Sequence, residues 1–345
     1  MQTQEKKSFP FWFGLDVSKD SFTAARRSIV STDEPLHPEV KSYPLDKKGV
    51  GDFLKWATTT VGEYPFGVAM EATGIYSKKL SSLIKSKVPE QHVAVCNATS
   101  VSLYARSFTD EKNDKADAAM IARYACDRQP REPMKMTPEH ERLREIVRVR
   151  SSLVEQRLEA RNRMDAITDK GVLKIQNGVI QALDKAIRKL EEQIKEIVSA
   201  YPEIKHEVEL MATAPGVGFL SAACIYAELG SLKNYNRKQV SALSGVCPVN
   251  KTSGKSVNKH GISRKGSKLL RKILFLDSSQ AVAKITVLGE LRARLLAKPK
   301  SRKMTARCAC MRKLLLILHA MVVNDTKFDP NHKVQKNIKN AAKPI

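Results

Sequence analysis

Aromatic residues are scarce in this chain of 345 residues, at 6%. Acids all but vanish from its last third, where Ser231 to Ile345 holds 26 Lys and Arg against four acids, Asp277, Glu290, Asp325 and Asp329. Cysteine is limited to Cys96, Cys126, Cys224, Cys247, Cys308 and Cys310, and no pair has CxxC spacing. That spacing excludes a zinc ribbon and a disulfide scaffold, and the cysteines read as reduced thiols in a cytoplasmic protein. No run of about 18 apolar residues occurs, so no membrane span is expected. Residues 1–15 lack the apolar core of a signal peptide. The missing acids exclude an ordinary solvated surface of mixed charge. The net charge is +24, and the first 230 residues contribute almost none of it. A one-sign polycation of this size meets nucleic acid, with an anionic membrane the weaker alternative. With so few aromatics, stacking on bases is not expected to be the main readout.

What is present divides along the chain. At 42% hydrophobic the sequence can bury real cores, and its length suits two or three domains. Apolar strands are expected at Phe11–Leu15, Phe22–Val30, Val40–Tyr43, Phe66–Met70 and His92–Cys96, with helices over Lys47–Thr60 and Ile75–Lys87 between them. Strands alternating with helices predict an α/β sheet with parallel members. From Pro138 to about Ala200 the pattern becomes helical. Ile180, Leu183, Ile187, Leu190, Ile194 and Ile197 form a heptad seam, and Gly171 is read as the break between two helices. The expectation is an antiparallel helical hairpin or coiled-coil arm, with a long amphipathic helix on its own domain as the alternative. Beyond Pro202, Ala214-Pro215-Gly216-Val217-Gly218 separates two apolar helical patterns. It is either a helix-hairpin-helix turn, whose glycines admit a DNA phosphate to backbone N–H groups, or a tight turn between packed helices.

Four acids stand out by position. Asp16 and Glu71 each end an apolar strand, the edge at which open α/β sheets bind ligands. Asp114 and Asp117 fall in the first turn of a helix that Asn113 is placed to cap. Singly, each is an ordinary cap or strand-end residue. If the strands are neighbours, four carboxylates converge, repel, and call for a divalent cation; hard oxygen donors select Mg²⁺ or Mn²⁺. A pair of such ions suits phosphodiester displacement.

The second stretch of interest is Val249 to Gly266, with five Lys and Arg, three glycines, four Ser and Thr, and no acid. It reads as a loop or pair of turns suited to a phosphate chain. Ser253-Gly254-Lys255-Ser256 ends like a Walker motif, but Val249 stands where the first glycine belongs, which excludes a P-loop. A second basic stretch, Arg292 to Lys313, has nine Lys and Arg and no acid.

Gly14-Leu15-Asp16-Val17-Ser18-Lys19, Glu71-Ala72-Thr73-Gly74-Ile75-Tyr76 and Lys112-Asn113-Asp114-Lys115-Ala116-Asp117-Ala118 closely resemble the DEDD transposases of the Piv/MooV type. These are prokaryotic insertion-sequence recombinases with a RuvC-like (RNase H-like) N-terminal domain. Leu243-Ser244-Gly245-Val246-Cys247-Pro248, Ser253-Gly254 and Gly261-Ile262-Ser263-Arg264-Lys265-Gly266 are similar to the family's C-terminal domain. The resemblance implies an α/β RNase H-like domain with a mixed sheet over residues 9–130 and a coiled-coil or helical arm over 137–203. A mainly helical basic domain over 204–327 and a polar tail over 328–345 follow. It implies Mg²⁺ or Mn²⁺ at Asp16, Glu71, Asp114 and Asp117, and Ser253 as the nucleophile that becomes covalently joined to DNA. Lys251, Lys255, Lys259, Arg264, Lys265, Lys268, Arg271 and the backbone at Gly216 and Gly218 become the nucleic-acid contacts. Element-end and target DNA, a guiding bridge RNA, a homo-oligomer and a nucleoid-associated location are implied as well. Asn113 replaces the threonine of the family's third motif, and Lys255 stands where some relatives carry a further serine. Two other readings compete: a metal-dependent RuvC-like nuclease using water, which needs the acids but not Ser253, and a non-catalytic nucleic-acid-binding protein, which needs neither.

Overall fold

The computed structural model describes residues 8–29, 39–108, 113–133, 136–253, 257–263, 265–298 and 302–330; the side chains of 250–253 and 257–260 are outside the description. The chain divides into two units, Met1–Lys135 and Met136–Ile345.

The first unit is built on β1 (Phe11–Val17), β2 (Ser21–Ser28), β3 (Val40–Pro44), α1 (Lys47–Val61), β4 (Phe66–Glu71), α2 (Ile75–Lys87), β5 (His92–Cys96), α3 (Ala98–Ala105) and α4 (Asp114–Arg128). The sheet order is β3-β2-β1-β4-β5. β2 runs antiparallel to β1 and β3, while β1, β4 and β5 are mutually parallel. β1 sits at the centre with both faces covered, which is why its sequence is an unbroken apolar run rather than an alternation. Phe13 and Leu15 join Val68, Met70 and Val93 beneath Phe53, Leu80 and Ile84 of α1 and α2. On the other face Trp12, Ala69, Ala94 and Cys96 pack on Ile121 and Ala125 of α4.

Two local features fix this unit. Gln129, in the left-handed conformation at φ 46°, ends α4. Its Oε1 accepts from the Phe9 N–H and from Trp12 Nε1, both at 3.0 Å, and its Nε2 donates to the carbonyls of Phe9 and Cys126. Helix α3 is absent from the sequence expectation. Its Ala-Thr-Ser-Val-Ser-Leu-Tyr-Ala buries Val101 alone and so carries no apolar stripe, yet Asn97 caps it by accepting from the Ser100 N–H.

The second unit comprises α5 (Pro138–Met164), α6 (Lys170–Ala200), α7 (Pro202–Ala212), α8 (Phe219–Leu229), α9 (Arg237–Leu243), β6 (Pro248–Ser253), β7 (Val257–Ile262), α10 (Lys268–Lys284), α11 (Thr286–Leu296) and α12 (Lys303–Asn324). Helices α5 and α6 form an antiparallel hairpin. Arg150 pairs with Glu191, Arg157 with Asp184, and Gln176 donates to the Ala160 carbonyl, so one number rises as the other falls. Ile180, Ile187 and Ile194 of the heptad seam are buried. The break between the helices is not at Gly171. Asp169 accepts from the Val172 N–H at 2.8 Å and caps α6, which puts Gly171 inside the first turn. The base of the hairpin is part of the helical core: Leu143, Val147, Ile194, Ile197 and Val198 cluster with residues of α7, α8, α10 and α12.

The stretch from Val249 is not a loop throughout. It forms a two-stranded antiparallel ribbon with Ser253 opposite Val257. The strands were hidden because a lone ribbon need bury neither face, so polar residues occupy most positions and the period-2 apolar signal is missing. Among the described residues no helix is long and apolar enough to cross a membrane.

Candidate active site

The first unit brings its acids to one corner. Leu15 of β1 lies opposite Met70 of β4 in parallel register. One residue on, Asp16 and Glu71 are adjacent strand positions, and strand alternation turns both toward the face covered by α4. That helix lies very close to the sheet. A Cβ on Gly14 would fall 2.2 Å from the backbone nitrogen of Ala122 and 2.3 Å from the carbonyl oxygen of Ala118. Ala116, Ala118, Ala119, Ala122 and Ala125 are all buried, and a helix face of alanines against a glycine is what permits this approach. One turn before Ala118, the helix begins at the level of Asp16.

Asn113 starts α4 in extended conformation, and its Oδ1 accepts from the Ala116 N–H at 2.9 Å. Asp114 and Asp117 occupy the first turn, where the helix dipole favours negative charge. Burial raises the Asp16 carboxyl above its ordinary value, and the charges of Asp117 and then Asp114 raise it further, against one bond from the Val17 backbone. These three acids therefore feel one another. Glu71 acts on the other side, adding to burial in pushing the Cys96 thiol up to about 11. Among the described residues no three His, Cys, Asp or Glu side chains close to metal-ligand distances. The donor set is nonetheless all carboxylate, the chemistry that suits a hard divalent cation, and mutual repulsion is what such a cation relieves.

In the second unit the two glycines of the Ala214–Gly218 turn differ. Gly216 has φ 89° and faces α10, with its would-be Cβ 2.6 Å from the Ala281 nitrogen, so its role is close packing. Gly218 starts α8 and faces open space, which leaves the helix N-terminus approachable. Ser253 is the last residue of β6. Lys255 and Arg264 lie outside the described residues, as do the side chains of Lys251, Ser253 and Lys259. Lys265 and Lys268 are exposed. Arg271 is half-buried and donates to the Gly266 carbonyl at 2.7 Å, so it braces the foot of the ribbon.

Two buried acids here were not singled out by sequence. Glu228 is buried and held by Arg148. Asp277 is buried, accepts from Ser221 at 2.8 Å, and has its carboxyl pushed up to about 6 by burial. The available signal was a single acid inside an otherwise apolar helix pattern, Phe219 to Leu229 for Glu228.

A mixed five-stranded sheet with acids ending two central strands and opening the helix packed across them is consistent with an RNase H-like DEDD domain. Comparison with known proteins agrees. Residues 13–171 match a DEDD-type transposase family model of the IS110 group, and residues 208–292 match the transposase IS116/IS110/IS902 family. The pilin gene-inverting protein of Moraxella bovis is 27% identical over 323 residues, 92% of this chain and 97% of its own length. The transposase for insertion sequence element IS1111A of Coxiella burnetii is 26% identical over 250 residues, 63% of this chain and 66% of its own. The chain belongs to the IS110/IS116 transposase family.

Proposed function

We propose that this protein cuts and rejoins DNA strands at the ends of an insertion sequence, with Ser253 as nucleophile and a covalent phosphoserine–DNA intermediate. The convergence of Asp16, Asp114 and Asp117, together with the family membership, carries the reading. Asp16, Glu71, Asp114 and Asp117 are assigned to hold Mg²⁺ or Mn²⁺. When bound, such an ion neutralises charge on the phosphate oxygens and stabilises the displacement.

The serine Oγ–phosphorus bond forms as the bond from phosphorus to a bridging deoxyribose oxygen breaks. That oxygen leaves as a hydroxyl, and the proton lost by the serine balances the one it gains. Rejoining runs the same exchange in reverse: a deoxyribose hydroxyl of the second strand attacks the phosphoserine and restores Ser253. Lys251, Lys255, Lys259, Arg264, Lys265 and Lys268 are assigned to the DNA backbone, with the N-terminus of α8 at Gly218 as a further phosphate contact. Low aromatic content and the resemblance favour sequence readout by a guide RNA and assembly as a homo-oligomer, with the helical hairpin as a coiled-coil arm.

The deciding experiment incubates the protein with element-end DNA, Mg²⁺ and co-purified RNA and seeks a denaturation-resistant adduct. The adduct is expected from wild type and lost in Ser253→Ala with DNA binding retained. Cleavage without any adduct would replace this reading with a water-using nuclease.

A further inference from the structure

Helix α3 buries only Val101, so its large side chains serve something other than the core. With the C-terminal half of α4 it walls an open cleft of about 590 Å³. Ser100, Leu103, Tyr104 and Ser107 line the cleft from one side, and Tyr124 and Arg128 of α4 from the other. The Tyr104 and Tyr124 rings stand 5.4 Å apart at 79°, and the Phe108 ring lies 5.0 Å from Tyr104. Phe108 is 40% exposed, with the Arg123 guanidinium 3.8 Å from its ring centre, and Leu103 is 59% exposed. The neighbouring acid, Asp127, is engaged as acceptor of the Tyr104 hydroxyl.

Two rings at a right angle make a corner in which a flat group stacks on one face and meets the edge of the other. Arg128, exposed at the rim, supplies a cation for an anionic attachment. A nucleotide combines the two features, a base with a π-face and a phosphate. In a chain with 6% aromatics, three rings grouped at a surface beside Arg106, Arg123 and Arg128 are a concentration that core packing does not require.

Position ties this cleft to the acid corner. Tyr124 follows Asp117 by seven residues and Arg128 follows it by eleven, so the three fall along one face of α4. Two helical turns, about 10 Å, separate Asp117 from Tyr124, which is about three nucleotides at the 3.4 Å rise of a DNA strand. On the sheet side, Cys96 ends β5 in register with Glu71, and Tyr124 packs on the cluster that contains Cys96.

We propose that the α3–α4 cleft holds one unpaired base of the DNA strand whose phosphate lies at the acid corner, with the base against Tyr104 and Tyr124 and an adjoining phosphate on Arg128. This rests on Asp16, Glu71, Asp114 and Asp117 forming the cutting site. A base held there sets which phosphate of the strand reaches the acids.

The test uses the full-length protein with its RNA, Mg²⁺ and element-end DNA carrying a single 5-iodouracil, moved base by base through the nucleotides flanking the cut. Ultraviolet light joins that base to an aromatic ring in contact with it, and mass spectrometry of the digested protein identifies the residue. A crosslink to Tyr104, Phe108 or Tyr124 is expected from a position within about four nucleotides of the cut. Cutting with no such crosslink from any position overturns the proposal. A crosslink at the cleft only from RNA carrying the same base also overturns it, by assigning the site to the guide. Tyr124→Leu keeps an apolar contact with the core and removes the ring, whereas Tyr124→Phe keeps the ring. Affinity for single-stranded element-end DNA is expected to fall about tenfold in Tyr124→Leu, the scale of one lost stack, and to stay at wild type in Tyr124→Phe. Duplex affinity should remain within about twofold in both. Arg128→Ala is expected to lower the salt slope of single-strand binding by about 0.7, one phosphate contact. Equal losses on single strand and duplex in Tyr124→Leu mark a merely structural role and overturn the proposal. If wild type cuts no element-end DNA, the cutting-site reading fails first and takes this inference with it.

Discussion

Asp277 accepts the Ser221 hydroxyl at 2.8 Å through one carboxylate oxygen, while its other oxygen is buried with no hydrogen-bond partner among the described residues. Among the described residues it is the one buried acid in the basic last third of the chain. A half-satisfied carboxylate in the core is stabilised by taking up a proton.

The pH dependence follows. Burial pushes the Asp277 carboxyl up to about 6 from an ordinary 3.8, so between these values the folded protein binds a proton that the unfolded chain does not. The group destabilises the fold fully above about pH 6, and the penalty is relieved as pH falls toward 4. Asp277→Asn is expected to stabilise the protein at pH 8 by on the order of 2 kcal/mol and to flatten this part of the stability profile. Urea unfolding at pH 5 and pH 8 checks it; an equal effect at both values sinks it.

Glu228 has the opposite sign. Burial alone raises its carboxyl, but the bonds from Arg148 and the charges of Arg148 and Arg144 bring it below the usual range. Its contribution is present at neutral pH and is lost as pH falls through its folded value. Glu228→Ala leaves Arg144 and Arg148 without their partner. Because Arg148 is half exposed, the expected loss is about 2–3 kcal/mol, below the range for a fully buried pair. Thermal unfolding at pH 7 measures it, and a change under about 0.5 kcal/mol, the scale of a surface substitution, refutes it.

Gly14 sets how closely α4 approaches the sheet. Gly14→Val is expected to push the helix away or unfold the first unit, since the atoms a side chain meets there are helix backbone and cannot rotate aside. The destabilisation should exceed about 3 kcal/mol, the upper end for overpacking. A folded Gly14→Val protein with wild-type activity contradicts the close-packed account of the acid corner.

Metal binding should register as stability. If Asp16, Glu71, Asp114 and Asp117 hold divalent ions, Mn²⁺ at about 100 times its dissociation constant adds about 2.7 kcal/mol. Asp16→Asn or Asp114→Asn should raise the melting temperature of the metal-free protein slightly, by removing repulsion, and abolish the Mn²⁺ increment. An undiminished increment in both variants places the metal elsewhere.

Most of the first unit was legible because burial on both faces leaves long apolar runs, as in Phe11–Leu15 and Phe66–Met70. Asn113 as a cap and the acids at strand ends were legible for local reasons. What sequence could not supply was adjacency: that β1 neighbours β4, and that Gly14 lets α4 settle with Asp114 and Asp117 beside Asp16, are facts of pairing and packing. The ribbon was misread because polar residues fill most positions of its strands and leave no period-2 apolar signal. Glu228 and Asp277 were passed over because a buried acid resembles a surface acid until its neighbours are known.

The shared core at the base of the helical hairpin has a practical consequence for dissecting the protein. A fragment beginning at residue 204 would strip Leu143, Val147, Ile194, Ile197 and Val198 from the helical core and expose the apolar surfaces they cover. It would also remove both arginines that neutralise Glu228. Such a piece should aggregate, whereas one beginning near residue 136 keeps its core and its charge balance whole. The hairpin and the helical region behind it therefore stand or fall as one folding unit.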